Sequence, residues 1–292
     1  MAKFLDEYNT LIKYSDITLP IKQIKKLRQK NEDIKFIHPF IPNTRILNTY
    51  DIIITEVSNK KDTTPLLVRS YDKPLSDREL ECRLYRVFND ESFSKGGRFF
   101  GAEYQQLKKE DRLLIQIDNS PVTEVDFKGL HLNMLYNFEG IDFEGDPYTK
   151  INSNPELRPL LKKVALIAIN AETKQQAINA LNYELLKDYD LYQIKKRYNL
   201  KTNELFSKFE DAHPTISKYL RSGVGIKLQN VDSRIAESVL KYFTKKEIPC
   251  LCVHDSFLVD EKYEDELCDV MKESYQKYLG FPGKVKVEGG AR

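Results

Sequence analysis

The pattern of apolar and polar positions changes near residue 113. After this point, two pairs of short apolar segments are each separated by turn residues. "LLIQID" and "VTEVDF" flank "NSP", and "IPCLCV" and "SFLVDE" flank His254 and Asp255. Short apolar runs bounded by turn residues predict β-hairpins. A further segment, "GKVKVE", predicts a last strand at the edge of a sheet.

Apolar residues at helical spacing predict helices for most of the chain after residue 126. "KGLHLNMLYNF" indicates a helix directly after the strand that ends at Asp126. The same spacing continues in four later segments: 154–185, a helical region that reaches about 222, 230–246, and a surface helix over 265–279. Antiparallel hairpins together with these helices predict an α+β fold.

The N-terminal third has a less regular pattern. "TLPIKQIKKL" predicts a helix after Pro20, and "YDIIITEV" predicts a strand. "SDRELECRLYRVF" (76–88) begins with Ser, a common N-cap residue, and predicts a helix. "NDESFSKGGRFFG" (89–101) contains paired glycines and predicts a loop.

Composition and charge place few limits on function. The chain has 292 residues, of which 41% are hydrophobic and 31% are charged, and these values are typical of a globular protein. The net charge of +2 does not by itself indicate a polyanionic partner. The basic segment "KQIKKLRQK" is either a solvated helix face or a patch for a phosphate backbone, and both interpretations stay open.

The cysteines and the N-terminus indicate the compartment. The four cysteines form no Cys-x-x-Cys pair, and no His lies at zinc-finger spacing from them, so we expect reduced, structural thiols. No signal peptide and no apolar run of membrane-spanning length is visible. We therefore expect a cytoplasmic protein without a membrane partner.

Two aspartates stand beside apolar strands, where a carboxylate is unusual. Asp126 ends a predicted strand, and Asp255 lies in a predicted hairpin turn. An unpaired buried charge is costly. The ordinary alternatives are a helix cap for Asp126 and a turn former for Asp255. Otherwise, each carboxylate binds a group that balances its charge.

A set of polar residues recurs between the two aspartates. Four residues repeat at intervals of four and would form a stripe on one face of a helix: Arg158, Lys162, Leu166 and Asn170. A second series with the same interval leads into the helix before Asp255: Arg221, Gly225 and Gln229. The first stripe combines two cations with an amide.

In order and spacing, these segments resemble the family A DNA polymerases and the phage-type single-subunit RNA polymerases. "VDFKGLHLNMLY" resembles motif A, the stripe from Arg158 to Asn170 resembles motif B, and "VHDSF" resembles motif C. The series from Arg221 to Gln229 is similar to the Arg-x3-Asn-x3-Gln signature of the family. The resemblance covers about residues 95–265.

The resemblance implies a metal-dependent nucleotidyltransferase with Mg²⁺ as the cofactor and Mn²⁺ as a substitute. It implies catalytic and metal-binding roles for Asp126 and Asp255, with the backbone carbonyl of Phe127 as a further metal ligand. The nucleotide-binding residues that it implies are Arg158, Lys162, Asn170 and His131. The nucleic-acid-binding residues are Arg98, Arg221, Gln229 and His254. Glu124 shares a strand face with Asp126 and either assists with metal or is a partly exposed strand residue.

Several positions depart from the family pattern. His131 and Asn170 stand where the DNA polymerases have a Glu and a Tyr that exclude a ribose 2′-hydroxyl. Leu166 replaces an aromatic residue or Met, and Gly225 replaces an Asn. Because an amide and an imidazole both form hydrogen bonds with a hydroxyl, we expect the site to accept ribonucleotides, at least for the first nucleotides of a primer, alone or together with deoxynucleotides. The alternative is that His131 packs inside the palm and Asn170 only ends a hydrogen-bonded helix turn.

The resemblance also implies a domain organisation. Residues 96–292 would form a polymerase palm with an antiparallel sheet and a trimmed helical fingers insertion at about 140–225. Residues 1–95 would be a helical or mixed region, with a reduced thumb as one interpretation. No exonuclease region fits upstream, so we expect a minimal polymerase that acts as a primase or replication polymerase of a mobile element or phage.

The expected partners follow from that activity. They are a DNA or RNA template and primer, nucleoside triphosphates, and an accessory subunit or helicase as a candidate. Two alternatives stay open: a nucleotidyltransferase that needs no template, and a catalytically silent protein that only binds nucleic acid.

Overall fold

The structure, a computed structural model, describes four segments of the chain: 2–19, 44–46, 53–55 and 78–288. The chain divides into two compact units. The first contains Met1–Ile17 and Leu80–Arg292, and the second contains Thr18–Glu79. Every residue that we place in the candidate site belongs to the first unit.

The helices cover much of the first unit. The α-helices are α1 Ala2–Tyr14, α2 Lys109–Arg112, α3 Leu130–Phe138, α4 Arg158–Asn170, α5 Lys174–Lys187, α6 Tyr189–Arg197, α7 Thr202–Ala212, α8 Gly225–Lys245 and α9 Glu264–Leu279. Short 3-10 helices are Glu103–Gln106, Pro147–Thr149, Pro155–Leu157, Pro214–Tyr219 and Glu261–Tyr263.

The strands are mostly short. They are β1 Ile17–Leu19, β2 Thr44–Ile46, β3 Ile53–Thr55, β4 Arg78–Glu79, β5 Tyr85–Asn89, β6 Ser92–Phe100, β7 Gln116–Ile117, β8 Ser120–Phe127, β9 Leu251–Val253, β10 Ser256–Asp260 and β11 Val285–Glu288.

An antiparallel sheet forms the centre of the first unit. Strands β7, β8, β10 and β9 lie side by side in this order, and β11 pairs with the second half of β8. Helix α9 packs on β8 and β10, and helix α8 packs on α9 and on β6. Val125 of β8 and Phe257 of β10 are fully buried between sheet and helices. The α+β prediction with an antiparallel sheet is therefore confirmed.

Both predicted hairpins of the C-terminal half form. Strands β7 and β8 are joined by Asp118 and Asn119, which have φ values of 50° and 64°. Asp and Asn tolerate this left-handed conformation, which two-residue hairpin turns require. Strands β9 and β10 are joined by His254 and Asp255, as predicted. The expected strand at "GKVKVE" is β11, which pairs with β8 in antiparallel orientation.

The helix predicted over 76–88 is wrong for its described part, 78–88, and the turn or loop predicted over 89–101 is reduced to a two-residue turn at 90–91. Residues 80–84 alternate between buried and exposed positions, with Leu80, Cys82 and Leu84 buried, and this period of two is that of an extended chain. Strands β5 and β6 then form a hairpin that packs on α8. The glycines at 96–97 lie within β6, where both have positive φ at a bulge, and do not form a loop.

The helical predictions are largely confirmed, with shifted ends. The helix expected over 154–185 is interrupted between α4 and α5, and α8 begins at Gly225. Helix α9 is not only a surface helix, because Leu267, Val270 and Met271 are buried. The helix predicted after Pro20 lies outside the described residues, and the strand predicted near residue 53 is β3, which pairs with β2.

The cysteines are free thiols, as expected. Cys82, Cys250 and Cys252 are buried, and Cys268 is half-buried. Among the helices that the structure describes, none is both long and apolar enough to cross a bilayer.

Candidate active site

Strand pairing brings Asp126 and Asp255 to the same end of the sheet. Ser256 of β10 lies directly opposite Asp126 of β8, so Asp255 is one residue beyond this pair. The carbonyl oxygen of Asp255 accepts a hydrogen bond from the N–H of Phe127 at 3.3 Å. The predicted approach of the two acidic segments across adjacent strands is therefore confirmed.

The hairpin turn holds Asp255 in place through an unusual backbone conformation. His254 has φ of 59°, in the left-handed region that most side chains avoid. Its ring contacts Phe100 edge-on, with centroids 5.2 Å apart. Burial and the nearby Arg98 guanidinium lower the pKa of His254, while Asp255 opposes the shift. A neutral imidazole therefore packs beside the aspartate.

Asp126 is an electrostatically costly carboxylate. Burial raises the pKa of Asp126 to about 6, and the negative charge of Asp255 adds to the shift. Lys286 of β11 opposes it, with Nζ 3.2 Å from Oδ2 of Asp126. The shift is upward despite this lysine, so burial and the charge of Asp255 together outweigh its effect on Asp126.

Glu124, two residues before Asp126 on β8, has its negative charge balanced by Arg112. Its carboxylate is buried and accepts hydrogen bonds from Arg112 Nε at 3.0 Å, Arg112 Nη2 at 2.6 Å and the Ser256 hydroxyl at 2.7 Å. The interpretation of Glu124 as a partly exposed strand residue is wrong, because burial inside the sheet requires this pairing. With its oxygens bound to Arg112, Glu124 supports the site from below.

Arg98 lies next to Asp255 but is bound to another acid. Its guanidinium donates to both oxygens of Asp232 on α8, with Nε at 3.0 and 3.3 Å. Burial disfavours the guanidinium charge, yet Asp232 and Asp255 outweigh burial and raise the pKa of Arg98. His131 of α3 also contacts Asp232, with Nε2 3.1 Å from Oδ2.

The four residues of the α4 stripe share one exposed face, as predicted. Arg158 donates from Nε to Asp146 at 2.5 Å, and its guanidinium lies 5.4 Å from the centre of the Tyr148 ring. Lys162 is exposed and forms no hydrogen bond or ion pair with a residue that the structure describes. On this face of α4, the Lys162 ammonium has no partner among the described residues, and the Arg158 guanidinium at the start of the helix is bound to Asp146.

Tyr148 is influenced by charges of both the α4 stripe and the two aspartates. Burial raises the pKa of Tyr148 to about 12, and the charges of Asp255 and Asp126 contribute while Arg158 opposes. The ring thus lies within electrostatic range of both ends of the site. A triphosphate that bridges the aspartates and α4 would pass this phenol.

The two departures at the end of the stripe contact each other. The amide of Asn170 donates to the Leu166 carbonyl at 2.8 Å. A Cβ added to Gly225 would lie 2.0 Å from Oδ1 of Asn170. Gly225 therefore allows the end of α4 to approach the start of α8.

The other predicted nucleic-acid contacts lie on the same side of α4 and α8. Arg221, with φ of 57°, forms an ion pair with Glu210 and donates its N–H to the Ala168 carbonyl. Gln229 is half-buried on α8. Nothing in these contacts tests a role in binding nucleic acid, which stays a prediction for both residues.

Sequence reasoning missed three residues of the site: Tyr148, Asp232 and Lys286. Asp232 is buried inside α8, and an acid at a buried helical position was the available signal. Lys286 alternates with Val285 and Val287 in the predicted edge strand, but only the pairing partner of β11 places it beside Asp126. Tyr148 follows the helix-starting Asp146-Pro147 pair, which gave no functional signal.

The donor set fits a hard divalent cation. Asp126 and Asp255 offer carboxylate oxygens at one end of the sheet, and burial and the charge of Asp255 make ionisation of Asp126 unfavourable. Within the described segments, no group of three or more His, Cys, Asp and Glu side chains is arranged to hold a metal by itself. Mg²⁺ suits such a site, because it binds through one or two carboxylates and completes its shell with water and phosphate oxygens.

The cost of ionising Asp126 gives a stability prediction. Since the pKa is raised from 3.8 to about 6, the folded protein retains a proton that the unfolded chain releases, and stability falls as the pH rises through this window. Without added metal at about pH 8, we expect Asp126→Asn to raise the free energy of unfolding by about 2 kcal/mol.

The difference between Asp126→Asn and the wild type should nearly disappear at about pH 3, below the ordinary Asp pKa of 3.8, because the carboxyl group is then mostly protonated in both the folded and the unfolded state. Urea unfolding at the two pH values measures it. Asp269→Asn, an exposed change on α9, is the control. Equal or lower stability of Asp126→Asn at the higher pH would contradict this description of the site.

Comparisons with known proteins give weak structural likenesses only. No protein-family profile matches the sequence, and no curated protein matches it. Among solved structures, the chain is similar to the POL domain of Pol1 from M. smegmatis in complex with DNA primer-template and dNTP. The sequence identity is 12%, the TM-score is 0.45, and the match covers 70% of this chain and 47% of that one. The chain thus spans about half of that structure.

Proposed function

We propose that the chain is a metal-dependent nucleotidyltransferase, a minimal template-directed polymerase that acts as a primase or replication polymerase of a mobile element or phage. The observation that carries the proposal is the Asp126–Asp255 pair, which the pairing of β8 with β10 brings to one end of the sheet. This arrangement suits the negatively charged triphosphate of a nucleotide, which brings its own divalent cation.

The proposed metal ligands are Asp126, Asp255 and the backbone carbonyl of Phe127. Mg²⁺ bound there, or Mn²⁺ in its place, would stabilise negative charge on the attacking 3′-hydroxyl oxygen and on the leaving pyrophosphate. The 3′-hydroxyl oxygen would lose its proton to solvent and form a bond to the α-phosphorus, and the bond from the α-phosphorus to the bridging oxygen would break and release pyrophosphate. The protein contributes position and charge.

The cations of α4 would receive the triphosphate. Lys162 has no protein partner among the described residues, so its ammonium is available for the β- and γ-phosphates. Arg158 would assist from the base of the helix. Beyond them, we assign Asn170 and His131 to the nucleotide, and Arg98, Arg221, Gln229 and His254 to template and primer. The palm would comprise residues 96–292, with fingers at about 140–225.

Lys162 gives a kinetic prediction. We expect Lys162→Ala to lower kcat/KM for the nucleotide by about a hundredfold, because its charge meets the charge that develops on the leaving group. Steady-state incorporation at varied nucleotide concentration measures this effect.

Lys163→Ala is the matched control for Lys162. Lys163 follows on the same helix, points to α5 and is paired with Glu184 at 2.7 Å. We expect its replacement to change kcat/KM by less than about threefold, since a surface ion pair contributes little. Equal losses in the two variants would remove Lys162 from the proposed site.

The proposed function is tested by incorporation of labelled nucleotides in the presence of Mg²⁺. All eight ribo- and deoxynucleotides are offered to a primed template, to an unprimed template and to a primer alone. Extension that follows the template sequence supports the proposal, and extension of the primer alone indicates a template-independent enzyme. Binding without any incorporation would leave only a silent nucleic-acid-binding protein. Incorporation of ribonucleotides is expected from His131 and Asn170.

A further inference from the structure

Lys286 lies at the place where a cation would reach Asp126. It stands directly opposite Asp126 in the antiparallel pair of β8 and β11. Directly opposed residues project from the same face of a sheet, so their side chains meet. The ammonium is 3.2 Å from Oδ2 of Asp126 and therefore covers one of the carboxylate oxygens that a metal would use.

Lys286 also has a second partner. Glu288 is two residues further along β11, on the same face, and forms an ion pair with Lys286. Lys109 contacts the same Glu288 carboxylate. Because the Lys286 side chain is 41% exposed, its ammonium is free to leave Asp126 while it stays paired with Glu288.

An ammonium and a divalent cation compete for Asp126. Like charges repel strongly at contact distance where solvent screening is reduced. Asp126 is partly buried, with its side chain 25% exposed, so screening there is reduced. A cation that binds Asp126 and Asp255 must therefore either displace Lys286 or bind against its repulsion.

We propose that Lys286 is a built-in counter-cation that a divalent metal ion displaces from Asp126, and that Lys286 thereby sets the affinity of the site for the metal. The proposal rests on the metal-binding role that the proposed function gives to Asp126 and Asp255. It makes Lys286 a positioning and affinity-setting residue, because its ammonium acts on a ligand of the metal and not on the reacting atoms.

The test is calorimetric titration of the full-length chain with MgCl₂ at about pH 8, where Asp126 is ionised. We expect Lys286→Met to bind Mg²⁺ about tenfold more tightly than the wild type, a difference of about 1.4 kcal/mol. Lys286→Arg keeps the positive charge and should bind as the wild type does. Tb³⁺ luminescence sensitised by the tyrosines of the chain, and its competition by Mg²⁺, provides a second probe that is independent of activity.

Matched variants separate the possible results. Lys284→Met is the control, since Lys284 lies just before β11 and pairs with Asp142 at 2.7 Å, and we expect no change in its affinity. Lys286→Gln replaces Lys286→Met if the latter has a lower melting temperature. Unchanged or weaker Mg²⁺ binding in the neutral variants, with binding lost in Asp126→Asn, would overturn the role of Lys286 alone. If neither the wild type nor any variant binds Mg²⁺, both the role of Lys286 and the proposed metal site are overturned.

Discussion

Replacing Asp255 by Asn is expected to lower the rate of nucleotide incorporation by about a thousandfold or more, which corresponds to about 4 kcal/mol of lost transition-state stabilisation. The amide keeps the size of the side chain but cannot supply the negative charge that balances a divalent cation. Asp126→Asn should have an effect of the same order, because both carboxylates belong to one site. Single-turnover incorporation on a primed template measures both.

Asp118→Asn is the matched control for Asp255. Asp118 also lies in a two-residue hairpin turn, and Asn tolerates its φ of 50°. Its turn joins β7 to β8 at the opposite end of β8 from Asp126, and its carboxylate accepts the N–H of Asp16 at 2.9 Å. Activity within about tenfold of the wild type in Asp255→Asn would show that this residue is merely a turn former.

Replacing Asp232 by Ala is expected to destabilise the fold by about 3–5 kcal/mol, because it leaves the Arg98 guanidinium partly buried without its partner. The side chain of Asp232 is only 2% exposed and binds Arg98 through both oxygens. His131 would lose the same partner. Urea unfolding of the wild type and the variant gives the difference in free energy.

The double variant Asp232→Ala/Arg98→Met tests the reason for this loss. If the unpaired charge is the cause, removing it should restore at least about half of the lost stability. A loss below about 1 kcal/mol in the single variant would mean that water or another acid already compensates Arg98. No recovery in the double variant would point instead to the cavity left by the aspartate.

The approach of Asp126 and Asp255 was predictable because both signals are local. Each aspartate stands at the end of a short apolar strand beside turn residues, and an antiparallel arrangement of such strands brings these ends together. The helical stripe on α4 was predictable for the same reason, since four-residue spacing fixes a face.

The segment from 76 to 101 was predicted wrongly because two periods compete in it. Apolar residues at 80, 84 and 88 fit helical spacing, whereas Leu80, Cys82 and Leu84 fit a period of two. Packing of the β5–β6 hairpin on α8 favours the extended form. The paired glycines then serve a bulge, where a Cβ on Gly96 would lie 2.1 Å from the Asn89 side chain.

Long-range pairing explains why Lys286 and Asp232 were missed. The position of Lys286 depends on the register of β11 against β8, and that register is set by contacts between segments more than a hundred residues apart. Asp232 meets Arg98 only because the β5–β6 hairpin lies on α8. Neither contact has a signature in the local spacing of residues.

Asn170 and Gly225 depend on each other for packing. A larger side chain at either position would separate the end of α4 from the start of α8, since Oδ1 of Asn170 already occupies the space of a Cβ on Gly225. This contact lies at the end of the stripe that we assign to the nucleotide.

The most direct test of the proposed site is crystallography of the chain with Mn²⁺ and a nucleoside triphosphate whose α–β bridge cannot be cleaved. Anomalous scattering locates Mn²⁺ without reference to activity. We predict an anomalous peak within about 2.5 Å of carboxylate oxygens of both Asp126 and Asp255, with the triphosphate extending toward Lys162. Well-defined Mn²⁺ and nucleotide bound elsewhere, with the two aspartates free of metal, would contradict the proposal that this pair is the active site.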